Sequence, residues 1–131
     1  MLMDLSTTDS VEKSMREYVA EIINEAPQAM DGKSPTPIAN HLFAVNEKDP
    51  PLSEAEAQRF HHIVAKLLFL ITRSGADIHI AVASLTARVK KPGKDDYKMF
   101  TRVIKYLQGN PLLGLILEAI RICKIKWWID A

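Results

Sequence analysis

Residues 60–117 read FHHIVAKLLFLITRSGADIHIAVASLTARVKKPGKDDYKMFTRVIKYLQGNPLLGLIL, and this stretch decides the fold. Phe60, Ile63, Val64, Leu67, Leu68 and Ile71 recur at the spacing of one broad helical stripe, which predicts a helix of about five turns. Ser53 and Glu56 form a Ser-x-x-Glu capping pair just ahead of it. Gly75 is placed to end this helix as a left-handed residue, and Asp77 to cap the next. Ile78, Ala81, Val82, Leu85 and Val89 make a second stripe as far as about Lys90, where Pro92 and Gly93 break it. Asp95 and Asp96 suit the positive end of a third helix, with Tyr97, Phe100, Val103, Ile104 and Leu107 facing inward and Gly109-Asn110-Pro111 as its stop. Short joints make consecutive helices neighbours, so a packed three-helix unit follows.

Outward from this unit the pattern changes. Ser10 to Ala26 reads as a further helix, with Met15, Val19, Ile22, Ile23 and Ala26 on one face, Asp9 or Ser10 as cap and Pro27 as terminator. Val11 to Met15 reads equally as a short edge strand whose neighbours lie in another chain. Pro27 to Pro51 holds five prolines besides Gly32, and Pro35 and Pro37 force extended backbone before them. Ile38, Leu42, Phe43 and Val45 give this arm apolar surface to dock on the helices. After Pro111, Leu113, Leu115 and Leu117 alternate with smaller or differently facing residues, and Cys123-Lys124-Ile125-Lys126-Trp127 alternates apolar with basic. Two strands, a C-terminal β-hairpin ending at Trp128-Ile129-Asp130-Ala131, are expected. The fold class is therefore mainly α, a three- to four-helix unit with a short C-terminal β-hairpin. A strand with two tryptophans at the end of the sequence needs partners for its edge, which suggests an α+β fragment of something larger.

Composition narrows the function classes. Residues 1–60 hold 11 acids and 5 bases, whereas residues 61–131 hold 5 acids and 12 bases, so the net charge of +1 hides a basic second half. Lys94, Lys98, Arg102 and Lys105 share one side of the third helix, and Arg88, Lys90 and Lys91 sit at the joint before it. Such a row can follow the phosphates of a duplex; it can also be a solvated helix face. The single cysteine, Cys123, excludes an internal disulfide and is read as a packed thiol in a reducing compartment. His41, His61, His62 and His79 lack the i, i+4 spacing of a helical zinc site and read as structural or surface residues. No apolar run reaches the ~18 residues of a membrane span, so a soluble chain without membrane partners is expected, cytoplasmic or nuclear.

With these residues in hand, four segments in order and spacing resemble copia-type retrotransposon Pol polyproteins: FHHIVAKLLFL, ADIHIAVASLTARV, KMFTRVIKYLQGNPLLGLIL and KWWIDA. SMREYVAEII and PTPIANHLF resemble the family less specifically. The resemblance covers the end of the reverse transcriptase and the first strand of ribonuclease H. It implies a helical thumb or connecting region over 1–111 and the truncated start of the ribonuclease H domain over 112–131. It implies a template-primer duplex of RNA and DNA as partner, together with the rest of the same polyprotein, and phosphate contacts from Arg88, Lys90, Lys91, Lys94, Lys98, Arg102 and Lys105. Asp130 falls on the position of the first ribonuclease H carboxylate, a ligand for the magnesium of the parent enzyme. The family's aromatic-x-Asp-Asp turn is absent, since Asp95-Asp96-Tyr97 has the wrong order on a helix, and Ala76 replaces the usual proline. The chain by itself is thus expected to be non-catalytic and without cofactor. A helical protein-interaction module using Trp127-Trp128 and the proline-rich arm is the alternative.

Overall fold

The computed structural model describes residues 1–7, 10–27, 32–39, 48–111 and 114–118. Its elements are β1 (Leu2–Thr7), β2 (Ser10–Ser14), α1 (Arg16–Glu25), α2 (Glu54–Ile71), α3 (His79–Ala87), α4 (Lys94–Gly109) and β3 (Leu115–Glu118). The chain is mainly helical with a small antiparallel sheet near its termini, in the order β1-β2-β3. The second strand expected after residue 119 lies outside the described residues, as do Leu42, Phe43, Val45, His41, Cys123, Trp127, Trp128 and Asp130.

Helix α2 is the hub, packing against each of the other three helices. Its start is the expected capping box: the Ser53 hydroxyl accepts from the Glu56 amide, and the Glu56 carboxylate accepts from the Ser53 amide at 3.1 Å. Phe60, Ile63, Val64 and Leu67 are buried as expected, but Leu68 is 44% exposed and Leu70 is buried in its place. At ~100° per residue the stripe centres near Leu67, which puts Leu70 about 60° off the centre and Leu68 about 100° off. Phe60 meets Phe100 of α4 edge-on at 5.5 Å between ring centroids, joining the two most buried faces.

The stripe of α1 is real, with Val19 and Ile22 buried, but the helix starts later than Ser10. Residues 10–14 are a strand instead, paired on both sides by β1 and β3 of this same chain. The strand reading of this segment holds, though as a central strand rather than an edge. Met15 stands at the helix start without a side-chain cap, so the capping expected of Ser10 does not occur. Ala26 is extended at φ −67°, ψ 146°, as a residue before proline must be, and that stops α1. Across the α1–α2 contact, Lys66 donates to Glu21 and Glu25 at 2.6 Å each; its stem is covered while its ammonium stays at the surface. The Lys66 hydrogen bond holds the Glu25 carboxyl below its ordinary range.

Two expectations about the α2–α3 joint are corrected. Gly75 has φ −97°, not the left-handed conformation, and α2 closes one turn earlier at Thr72. Asp77 does not cap α3. It lies in a single 3-10 turn, Ala76–Ile78, where its carboxylate adds to the burial that raises the Tyr106 hydroxyl of α4. The Ile78 amide donates to the Gly75 carbonyl and the His79 amide to the Ala76 carbonyl, so the turn takes up amides at the start of α3. Ile78, Ala81, Val82 and Leu85 are buried as the stripe requires.

These placements have two measurable consequences. Leu67→Ala removes a fully buried side chain and is expected to cost about 3 kcal/mol in chemical denaturation, against less than about 1 kcal/mol for the half-exposed Leu68→Ala; equal costs would reject the stripe. Burial, reinforced by the nearby Asp77 carboxylate, pushes Tyr106 up to about 12. The unfolded tyrosine ionises near 10 while the folded one keeps its proton, so this stability is full below pH about 10 and lost as pH rises toward about 12. Melting temperature should fall across that window, and less steeply in Tyr106→Phe.

Candidate functional site

Helix α4 is fixed by its two ends and its buried side. Met99, Phe100, Val103, Ile104 and Leu107 face the core. Counting at ~100° per residue, Lys94, Lys98, Arg102 and Lys105 all lie on the side away from that face. The apolar period thus forces the basic residues outward, and the row inferred from sequence exists as a helix side.

Its N-terminal end is mixed in charge. Gly93 begins the helix, its amide donating to Asp96 Oδ2 at 2.9 Å, and Asp96 is buried with Arg88 Nη1 on its Oδ1 at 2.7 Å. Arg88 is therefore engaged in a bridge across the α3–α4 joint. Asp49, from the end of the proline-rich arm, accepts from the Asp95 amide at 2.8 Å and places a third carboxylate at the positive end of the helix. Gly93 permits this closeness, since a Cβ there would collide with the Asp49 carboxylate. The strap is completed by Leu52 donating to Pro92 and Lys94 donating its amide to Pro50. Lys90 and Lys91 are exposed on the joint, where they share a cleft of about 680 Å³ with Asp49, Asp95 and Asp96. The Glu56 carboxyl is lowered chiefly by its Ser53 hydrogen bonds and further by the charge of Lys94.

The C-terminal half is different. Lys98 pairs with Asp95 at 2.6 Å on the surface, which pushes its ammonium above the usual lysine range. Beyond it, residues 32–38 of the arm run along the helix. The Ser34 amide donates to the Lys105 carbonyl at 3.2 Å, and Arg102 donates from Nε to the Thr36 carbonyl at 3.1 Å and from Nη2 to the Thr36 hydroxyl at 2.8 Å. Gly32, at φ 127°, makes the left-handed turn that brings the arm beside the Lys105 side chain. Between arm and helix lies a groove of about 460 Å³, lined among others by Lys33, Tyr97, Lys98, Thr101, Arg102 and Lys105.

Of the seven bases expected to meet phosphate, the structure thus separates two groups. Arg88, Lys90, Lys91 and Lys94 lie among carboxylates, whereas Arg102 and Lys105 line one groove with Lys33 and with Lys98, which is also paired with Asp95. Lys33 and Tyr97 were not singled out from sequence: Lys33 is remote along the chain, and Tyr97 fits the apolar stripe. The two prolines after Lys33 were the available signal, because an extended arm is the form that can lie along a helix. Asp130 lies outside the described residues. His61, His62 and His79 are exposed, with His62 3.2 Å from Glu25. Among the described residues no three His, Cys, Asp or Glu side chains gather as a metal site, and no helix is long and apolar enough to cross a membrane. No family model matches the chain, and neither the curated proteins nor the solved structures yield a match.

Proposed function

We propose that this chain is a non-catalytic support that holds a nucleic-acid duplex by its phosphates, through the outer side of α4. The observation that carries the reading is the convergence of Lys98, Arg102 and Lys105 with Lys33 opposite the buried face of a 16-residue helix. A helix of that length spans about 24 Å at ~1.5 Å per residue, enough to follow several phosphates. Contacts of this kind position a duplex without reading its sequence. The resemblance to copia-type reverse transcriptases supplies the particular duplex, an RNA and DNA template-primer, and makes the rest of that polyprotein the natural neighbour. On this reading catalysis belongs to other segments, because the aromatic-x-Asp-Asp turn is absent and Asp130 alone cannot hold the paired metals of a nuclease.

A protein-interaction module is the second reading, favoured by the exposure of Leu68, Phe69 and Ile80 on the helices and of Ile116 on β3. Salt separates the two. Binding of an RNA–DNA duplex should weaken steeply between 50 and 200 mM salt, and changing Lys98, Arg102 and Lys105 together to glutamine should lower the log–log slope by about two to three. Lys90→Gln with Lys91→Gln should lower it by about one at most. Duplex binding that ignores salt, or a slope unchanged in the triple variant, would remove nucleic acid from the function.

A further inference from the structure

We propose that the groove between the arm and the C-terminal half of α4 is a seat for a phosphate monoester, the 5′-phosphate of a nucleotide or of a strand end. The proposal rests in its charge argument on the reading of α4 as a phosphate-facing helix, and gives that helix a specific ligand group. The groove's described lining contains four cations, Lys33, Lys98, Arg102 and Lys105, and no carboxylate, with Lys98 alone of the four also paired to a carboxylate, that of Asp95. They come from two segments, so they converge on a shared space rather than forming one line. A phosphate monoester carries close to two negative charges at neutral pH and several strong acceptor oxygens, which matches convergent cations better than the single charge of a diester.

Arg102 is the fixed member of the set. Its two hydrogen bonds to Thr36 hold the guanidinium against the arm, and a guanidinium has five N–H donors, so others remain for an oxygen ligand. Holding it beforehand removes part of the ordering cost of binding. Thr101 is less useful, because its hydroxyl donates to the Tyr97 carbonyl at 2.7 Å. Tyr97 adds a different kind of wall. Its ring packs against Phe100 at 5.6 Å and borders the groove, offering an aromatic surface beside the phosphate position. Like any tyrosine the ring is neutral at pH 7, and burial moves its ionisation higher still. A nucleoside attached to the phosphate then has a place to lie. The groove's volume is within the range of small-ligand sites.

The test uses the full chain and follows the amide resonances of Ser34, Thr101 and Lys105 during titration with inorganic phosphate, AMP, adenosine and sulfate, and with one short single strand bearing either a 5′-phosphate or a 5′-hydroxyl. AMP should shift these resonances at lower concentration than phosphate, and adenosine should leave them in place. Arg102→Gln should weaken AMP about tenfold. Lys105→Gln, which keeps the Arg102 bonds to Thr36, should weaken it several-fold, and Lys90→Gln should not change it. A preference for the 5′-phosphorylated strand over AMP identifies a strand end as the ligand; parity identifies a free nucleotide. Equal shifts by adenosine or sulfate, no shift by AMP, or unchanged AMP binding in both groove variants would overturn the seat. Salt-dependent duplex binding without any AMP response keeps the duplex reading and removes the seat, while an AMP response without such duplex binding does the reverse.

Discussion

Four like charges share one side of α4, and the helix is stable because its other side is buried against the bundle. Repulsion between neighbours at i, i+4 costs a few tenths of a kcal/mol per pair. Each large apolar side chain buried from α4 contributes about 1.5–3 kcal/mol, and Met99, Phe100, Val103, Ile104 and Leu107 are all within a few per cent of full burial. The core term therefore dominates, and the outer face is free to carry charge. Asp95, Asp96 and Asp49 offset part of it at the N-terminal end, where the helix dipole favours carboxylates. The uncompensated positive charge is left toward the C-terminal half.

The arm depends on the same helix. It is attached near one end through Ser34 and Thr36, which meet Lys105 and Arg102, and at the other through Asp49 and Pro50, which meet Asp95 and Lys94. What would be a convex row of bases becomes one wall of a groove. Concavity matters chemically, since cations on two walls can reach the same oxygen ligand while cations on a line reach successive ones. The ordered arm and the basic helix are thus one feature assembled from two stretches of sequence.

Much of this was legible beforehand because the signals are local. The capping box at Ser53 and Glu56, the stripes of α2, α3 and α4, and the acids opening α4 depend on residues within a few positions of one another. Ser10–Ser14 failed as a helix because Met15 and Val11 fit a helical period as well as a strand, and the pairing with β1 and β3 that decides it is not local. Asp77 misled for a related reason: a carboxylate before a helix usually caps it, but here a 3-10 turn leads directly into α3 and Asp77 lies inside that turn. The basic row of the site could be read from its spacing. Its division into a mixed-charge end and a cationic groove could not, because Asp49 meets Asp95 from 46 residues away and Thr36 meets Arg102 from 66.

The sheet has a kinetic consequence. Strand β3 pairs with β2 so that Glu118 stands opposite Ser10, closing a loop that contains α1 to α4. An unstructured chain closing so long a loop loses entropy that a few ladder hydrogen bonds do not return, whereas helices joined by short turns meet quickly. Once the bundle has formed, it holds the two strands near each other and most of that entropy has already been spent. The β2–β3 pairing should then be the last to form and the first to open, leaving the α2–α4 core and its groove intact while β3 comes away.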